Sequence, residues 1–318
     1  MKCIIHHWDT DGICSAAIIA GILEEKGEMW ENISPEIGEF KLPRNRLTRY
    51  HASDIHVVDL NLPEEIEMLA PSFKRIFFID HHPQKKINLS NVVHVNPNLN
   101  GNHSKDLPSA TWVVSDYFNR WNHLSALGAI GDLGLKAFNY ERNLELLAGL
   151  TQNQALRLVK LIDSNYIVMD RGGVEEAVTL VLKNSPQELL EIKKWNRNLE
   201  RISEEVERII TKLKSDSPYC ELHFESDMNV ISIIARKIIW EMGHNVVLAV
   251  NHDFNGKSQI YLRINPNLKK LDIIRIITKL KDNGFNAGGK KDVLGVICNK
   301  NDVESVLAVV EPLLRVVK

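Results

Sequence analysis

Lys2-Cys3-Ile4-Ile5-His6-His7-Trp8-Asp9-Thr10-Asp11-Gly12 is the stretch on which the fold reading turns. Residues 1–5 are mostly apolar. Alternating His and Asp follow, then Gly12, then a run of small and apolar residues over 13–20. That order reads as a buried strand feeding a helix through a turn. Residues two apart in a strand face the same way. His7, Asp9 and Asp11 are therefore expected to present one imidazole and two carboxylates in one direction, a set suited to a hard or borderline divalent cation. An Asp before a glycine and a helix is equally the signature of an N-cap, and Asp11 fits that role as well.

The pattern recurs downstream. Residues 55–60, IHVVDL, read as a strand carrying Asp59, and Pro63 opens a helix whose first turn holds Glu64, Glu65 and Glu67. Residues 75–79, RIFFI, run straight into Asp80-His81-His82-Pro83, and 91–95 form a further strand before Asn96-Pro97. Strand, helix and strand in alternation predict an α/β fold with a parallel sheet. The loop 34–54, with Arg44, Arg46 and Arg49, reads as solvated, and the polar loop 96–108 is too long for a plain connection. Helices are expected over 109–120 with Ser109 as cap, over 124–130, over 144–162 and over 174–183.

From 186 to 214, Ile192, Trp195, Leu199, Ile202, Val206, Ile209 and Leu213 recur at three- and four-residue spacing. This predicts one long helix ending at Ser217-Pro218, with a seam that serves the protein's own core or, alternatively, a homodimer. A second alternation follows, with strands at 219–224, 246–250, 259–264 and 293–298 and helices at 230–242, 271–280 and 303–316. The expected organisation is a catalytic α/β domain over 1–185, a linker helix over 186–217 and a smaller α/β domain over 218–318.

The bulk properties narrow the function. The chain has 318 residues, which favours two domains. It is 44% hydrophobic and 25% charged, as expected of an ordinary soluble globular protein. A net charge of −2 gives no broad cationic field for duplex DNA, though a short nucleic acid held in one groove is compatible with it. Cys3, Cys14, Cys220 and Cys298 form no C-x-x-C pair, which argues against a disulfide framework or cysteine zinc site and for a cytoplasmic location. The N-terminus lacks the features of a signal peptide, and no apolar run is long enough to span a bilayer.

Strand carboxyl ends in an open parallel sheet converge on one crevice. His7, Asp9 and Asp11 after the first strand, Asp59 after the second and Asp80-His81-His82 after the third would meet there. Asp132, in Ala126-Leu127-Gly128-Ala129-Ile130-Gly131-Asp132, follows an apolar helical segment. Singly, Asp59 and Asp80 read equally as helix caps, His81 and His82 as turn residues before Pro83, and Asp132 as a turn residue. Together those readings require the same chemistry to recur by chance at one sheet edge. Carboxylates crowded in a crevice repel and raise one another's pKa values. Two divalent cations relieve that, and a bridging carboxylate would hold them about 3.5–4 Å apart around an activated water.

His7-x-Asp9-x-Asp11-Gly12, Asp59, Asp80-His81-His82 and Gly131-Asp132 resemble the four motifs of the DHH phosphoesterase superfamily, in order and in strand-end context. The resemblance covers residues 1 to about 140 closely. It implies a first metal on His7 and Asp9, a second on Asp11, His81 and Asp132, and Asp59 bridging them. The metals are most often Mn2+, with Mg2+ or Co2+ as alternatives. It implies that Asp80 orients a histidine and that His82 faces the phosphate and stabilises its charge. The helix start Ser109-Ala110-Thr111 also recurs in the superfamily, and its N-terminus suits an anion. Residues 218–318 resemble the DHH-associated domain of the RecJ and nanoRNase branch. There Arg263 matches an arginine that grips phosphate. Gly288-Gly289-Lys290 stands where the family usually carries Gly-Gly-His.

The resemblance implies a metal-dependent phosphodiesterase acting on short oligonucleotides or small nucleotides. A RecJ-like exonuclease on single-stranded DNA or RNA is the alternative. A non-catalytic nucleotide-binding homologue is a minor one, and a pyrophosphatase is the weakest. No membrane partner is expected.

Overall fold

The computed structural model describes residues 1–318 apart from 40, 103, 105, 148, 214–217, 269–271 and 315–318. In chain order, the first unit contains β1 (Lys2–His6), α1 (Thr10–Glu25), β2 (Trp30–Ile33), α2 (Arg44–Leu47), β3 (Asp54–Val58), α3 (Pro63–Leu69), β4 (Arg75–Ile79) and β5 (Val92–Val95). Helices α4 (Ala110–Phe118), α5 (His123–Leu133), α6 (Glu141–Leu146), α7 (Gln152–Ile167), α8 (Arg171–Lys183) and α9 (Pro186–Leu190) follow. The five strands are parallel in the order β2-β1-β3-β4-β5. Strands covered on both faces need near-continuous apolar sequence, and Ile55, Val57, Val58, Ile76, Phe78 and Ile79 are all buried.

Helix α10 (Lys193–Ile210) carries the chain onward. The first unit is Met1–Tyr166 with Asp170–Leu199, and the second is Ile167–Met169 with Glu200–Lys318. The second contains β6 (Tyr219–Phe224), α11 (Ile231–Trp240), β7 (Val246–Phe254), β8 (Lys257–Ile264), α12 (Ile273–Asp282), β9 (Ala287–Lys290), β10 (Val293–Cys298) and α13 (Val303–Leu314). Its sheet runs β6-β7-β8-β10-β9, with β6 and β7 parallel and the remaining pairs antiparallel. Val246, Leu248 and Val250 alternate inward with Ile260, Leu262 and Ile264, and Ile276, Leu280, Val306 and Val310 close the core over them. The expected architecture, a parallel-sheet α/β domain followed through a long helix by a smaller α/β domain, is the one observed.

Local departures have physical causes. The seam helix expected over 186–214 is two helices. α9 starts with a capping box of Ser185 and Glu188, and the chain turns at Glu191 before α10. Trp195, Ile202, Val206 and Ile209 on the seam are buried within the single chain. The helix expected over 144–162 breaks between α6 and α7, where Gly149 takes a positive φ of 93°. The arginines of the 34–54 segment are not simply solvated: Arg46 pairs with Glu175 through both guanidinium nitrogens, and Arg49 lies 2.7 Å from Glu31. The expected helix end at 214, the stop at Ser217, the helix start at 271 and the end of the last helix at 316 lie outside the described residues.

Candidate metal centre

Strands β1, β3 and β4 are neighbours, so His7, Asp59 and Asp80-His81-His82 leave the same edge of the sheet side by side. Each crossing is fixed by the backbone. Asp59 N donates to Ile79 O at 3.1 Å, and Asp80 N donates to Val95 O at 3.1 Å. Asp59 has φ of 58°, in the left-handed region, which ends β3 at Val58. Asp132 comes from the last turn of α5.

His7, Asp9 and Asp11 do not lie on one face of a strand. β1 ends at His6, and α1 begins at Thr10 with Asp9 as its N-cap, the Asp9 carboxylate accepting from Gly12 N at 3.1 Å. Asp11 is therefore not the cap; it sits buried in the first turn. Asp9 is in extended backbone with ψ of 177° and Asp11 is inside the helix, so the two side chains leave differently and serve different neighbours. Gly12 allows the helix start to lie against the strand end. A Cβ there would meet His7 O at 2.5 Å.

Two groups of potential ligand atoms result. One is His7, Asp9 and Asp59, and the other is Asp11, His81 and Asp132. His7 Nδ1 lies 2.8 Å from Asp9 Oδ2 and 3.8 Å from Asp59 Oδ2. His81 Nε2 lies 3.6 Å from Asp59 Oδ1 and 3.1 Å from Asp132 Oδ2. One carboxylate thus turns one oxygen toward each histidine. A third grouping, of Asp59, Asp80, His81 and His82, overlaps these two.

Electrostatics record the crowding. Burial, and then the charges of Asp9, Asp11, Asp132 and Asp80, push the Asp59 carboxyl well above its ordinary range. Burial raises Asp11 and lowers His81. Asp9 is held low: burial opposes it, but the His7 charge and hydrogen bond, the Gly12 amide and Asp59 outweigh burial. His82 is raised to about 9, because its hydrogen bond to Asp80 and the surrounding carboxylates overcome burial.

The supporting residues include the two expected motifs, Asp80 and the helix start at Ser109-Ala110-Thr111, and others that no motif marked. Asp11 Oδ2 accepts from Ala110 N at 2.6 Å and Oδ1 from Thr111 N at 2.9 Å. The N-terminus of α4, expected to take a ligand anion, is thus occupied by the protein's own carboxylate. Ser109 caps that helix as expected, accepting from Trp112 N. Asp80 is fully buried. Its Oδ1 accepts from His81 N and from His82 Nδ1, both at 2.8 Å, and its Oδ2 from Gln84 Nε2. Asn96 and Asn98, in the polar loop after β5, donate to His82 O at 2.8 Å and His81 O at 2.6 Å. His6 Nδ1 bonds His7 O at 2.7 Å, so that nitrogen carries the proton.

In the second unit, Gly288-Gly289-Lys290 is not a loop. It is edge strand β9, hairpin-paired to β10 through Lys290↔Val293 and Gly289↔Leu294. Gly289 is required there, since a Cβ would meet Val293 O at 2.0 Å. Val293 also pairs with Arg263, so Arg263 and Lys290 occupy one rung of the sheet, two strands apart. Arg263 stacks over Trp240 at 5.1 Å and donates to Tyr261 Oη at 3.2 Å, while its Nε is buried without a partner.

The donor set of the first unit fits divalent metal. His81 Nε2 is buried and makes no hydrogen bond, although two carboxylate oxygens face it. Converging acceptors around an unbonded ring nitrogen suit a cation better than a proton. Residues 2–131 match the N-terminal domain of the DHH family. They are a DHH-family domain. The match stops one residue short of Asp132, which the fold places beside Asp11 and His81. No curated protein sequence matches the chain significantly.

Beyond the DHH domain, solved structures extend the likeness of fold to nearly the whole chain. An exonuclease RecJ bound to manganese is 17% identical with a TM-score of 0.68, covering 98% of this chain and 89% of its own. RecJ from Thermus thermophilus, in complex with Mn2+, is 19% identical with a TM-score of 0.69, covering 98% of this chain and 51% of its own. The DHH domain of a protein assigned to a family of ribosomal proteins is 17% identical with a TM-score of 0.69, covering 99% and 86%. No described helix is long and apolar enough to cross a membrane.

Proposed function

We propose that the chain is a metal-dependent phosphodiesterase that hydrolyses phosphoester bonds of short oligonucleotides or small nucleotides. The observation that carries this is the Asp59 carboxylate set between His7 and His81, with Asp9 on one side and Asp11 and Asp132 on the other. His7, Asp9 and Asp59 would hold one ion, and Asp59, Asp11, His81 and Asp132 the other. Such a pair, most often Mn2+, supplies Lewis acidity and a water acidic enough to attack phosphorus near neutral pH. The manganese in the RecJ structures of the same fold supports that choice.

The chain's own residues do the rest. Asp80 holds the His82 ring through Nδ1, leaving Nε2 for a phosphoryl oxygen. Arg263 and Lys290, with the exposed Gly288 and with Gly289 in the same strand, are assigned to a second phosphate or the nucleotide end. Residues 1–185 would carry catalysis and 218–318 recognition, joined through 186–217, and four buried free cysteines support a cytoplasmic setting.

The test is a product ladder. Purified protein with Mn2+ is given a dinucleotide, a cyclic dinucleotide and a long labelled single strand. Rapid hydrolysis of the first two is expected, with Asp59→Asn and His81→Ala slower by at least about two orders of magnitude, as for loss of a group acting on the transition state. Stepwise shortening of the long strand would replace this reading with an exonuclease. Undiminished turnover in both variants would end the two-metal reading.

A further inference from the structure

Thr10 stands between the two carboxylates assigned to different ions, and it is held by a residue remote in sequence. Its backbone N–H donates to Asp163 Oδ1 at 2.8 Å and its hydroxyl donates to the same oxygen at 2.7 Å. Thr10 is fully buried, and Asp163 lies on α7, 153 residues away. Asp163 therefore supplies an acceptor oxygen at the N-terminus of α1, where the amides are unsatisfied by the helix itself. Asp9 already caps that end through Gly12 N. The second acceptor fixes the rotation of the first turn rather than merely ending the helix.

That rotation matters because Asp9 and Asp11 flank Thr10 at the start of α1 and belong to different groups of ligand atoms. Turning the first turn shifts the Asp11 carboxylate relative to the Asp9 cap. A carboxylate oxygen lies roughly 5 Å from the axis, so a turn of about 10° displaces it by about 0.9 Å. Asp11 is tied on its far side by Ala110 N and Thr111 N, and His7 is backed by Gly12. The Asp163–Thr10 pair is the fixed point between these two anchors.

We propose that Asp163 is a positioning residue of the metal centre, setting through Thr10 the separation of the Asp9 and Asp11 carboxylates. This rests on the two-metal reading above. The role needs an acceptor oxygen, not a charge: an Asn side chain can accept both hydrogen bonds, a Leu side chain neither.

The experiment is Mn2+ titration of the full chain by calorimetry, with thermal melting of each metal-free protein in parallel. Wild type is expected to bind two ions. Asp163→Leu should bind both at least about 10-fold more weakly, in the range seen when outer-shell partners are lost. Asp163→Asn should stay within a few-fold of wild type, and Thr10→Val, which keeps the amide but loses the hydroxyl, should fall between. If wild type binds no Mn2+, the two-metal reading fails. If wild type binds two ions and Asp163→Leu binds them equally well, the positioning role is overturned, whatever happens to the melting temperature. If Asp163→Asn is as weak as Asp163→Leu, the residue acts by charge and the proposal is likewise overturned. Should Asp163→Leu fail to fold, Thr10→Val against Thr10→Ser decides: Ser must restore the affinity that Val loses.

Discussion

Gly128→Ala isolates the packing beneath Asp11. Two effects oppose each other. Alanine in a helix interior is favoured over glycine by about 1 kcal/mol, so an open site in α5 would be stabilised. At Gly128 a Cβ would lie 2.3 Å from both Thr111 Oγ1 and Cγ2, and 2.6 Å from Asp11 Oδ1. None of these can step aside cheaply. Thr111 Oγ1 bonds Ser125 O at 3.2 Å, and Asp11 Oδ1 accepts from Thr111 N at 2.9 Å. Overpacking typically costs about 1–3 kcal/mol, and loosening a hydrogen bond to a carboxylate about 1.5–3 kcal/mol more. The clash wins, with a net loss of about 1.5–5 kcal/mol, or a melting temperature lower by about 3–20 °C. Gly131→Ala on the same helix is the control. Its Cβ would meet Thr10 Cβ at 3.2 Å, a neighbour that needs to give only slightly, so its effect should lie within about 1 kcal/mol of zero. Thermal melting of the two variants reads the difference, and Mn2+ titration of Gly128→Ala against wild type reads its effect on Asp11. A Gly128→Ala protein as stable as wild type, with undiminished Mn2+ affinity, would refute the claim that α5 presses α4 onto the Asp11 carboxylate.

The other predictions concern the second unit and acid stability. Gly289→Ala should break the β9–β10 hairpin, since its Cβ would meet Val293 O at 2.0 Å; hydrogen exchange at β10 amides should rise while β1 and β3 stay protected. His56 is buried in β3, stacked on Phe77 at 4.8 Å, and burial lowers its pKa from 6.5 to about 4. Between those values the unfolded chain takes up a proton that the folded chain refuses, so stability present above the upper value drains away as pH falls toward the lower. The loss is about 2 kcal/mol by about pH 5. Denaturant unfolding of His56→Phe should therefore show a shallower decline between about pH 7 and pH 5 than wild type.

What the sequence disclosed follows from how local its signals are. The strands IHVV and RIFFI, the Pro63 helix start and the Ser109 cap are short-range patterns, and each stands where it was expected. Trp30-Glu31-Asn32-Ile33 has no alternation and sits at the sheet edge, so β2 carried no periodic signal. Ala287-Gly288-Gly289-Lys290 carries no strand signal because glycine weakens strands; the need for Gly289 is a carbonyl on β10 that only the folded pairing brings close. The break after α6 was announced by Gly149 and by Thr151 bonding Gln154, a signal outweighed by the apolar period around it. At the centre itself, the Asp and His residues stood out by type, but their division between two groups did not follow from strand alternation. It depends on α1 starting at Thr10, and on amides of α4 that lie 99 and 100 residues from Asp11.

The left-handed φ of 58° at Asp59 restricts what can replace that residue. Among non-glycine residues, Asn and Asp enter that region most readily. An alanine there would change the backbone preference along with the charge, so a lost activity would have two causes. Glycine would accept the dihedral but free the turn after β3. Asparagine keeps the turn and removes one charge, which makes Asp59→Asn the substitution whose phenotype reports on chemistry alone. The same restriction acts on drifting sequences: Asn is the near neighbour that the backbone admits, and it lacks the anion to sit between His7 and His81.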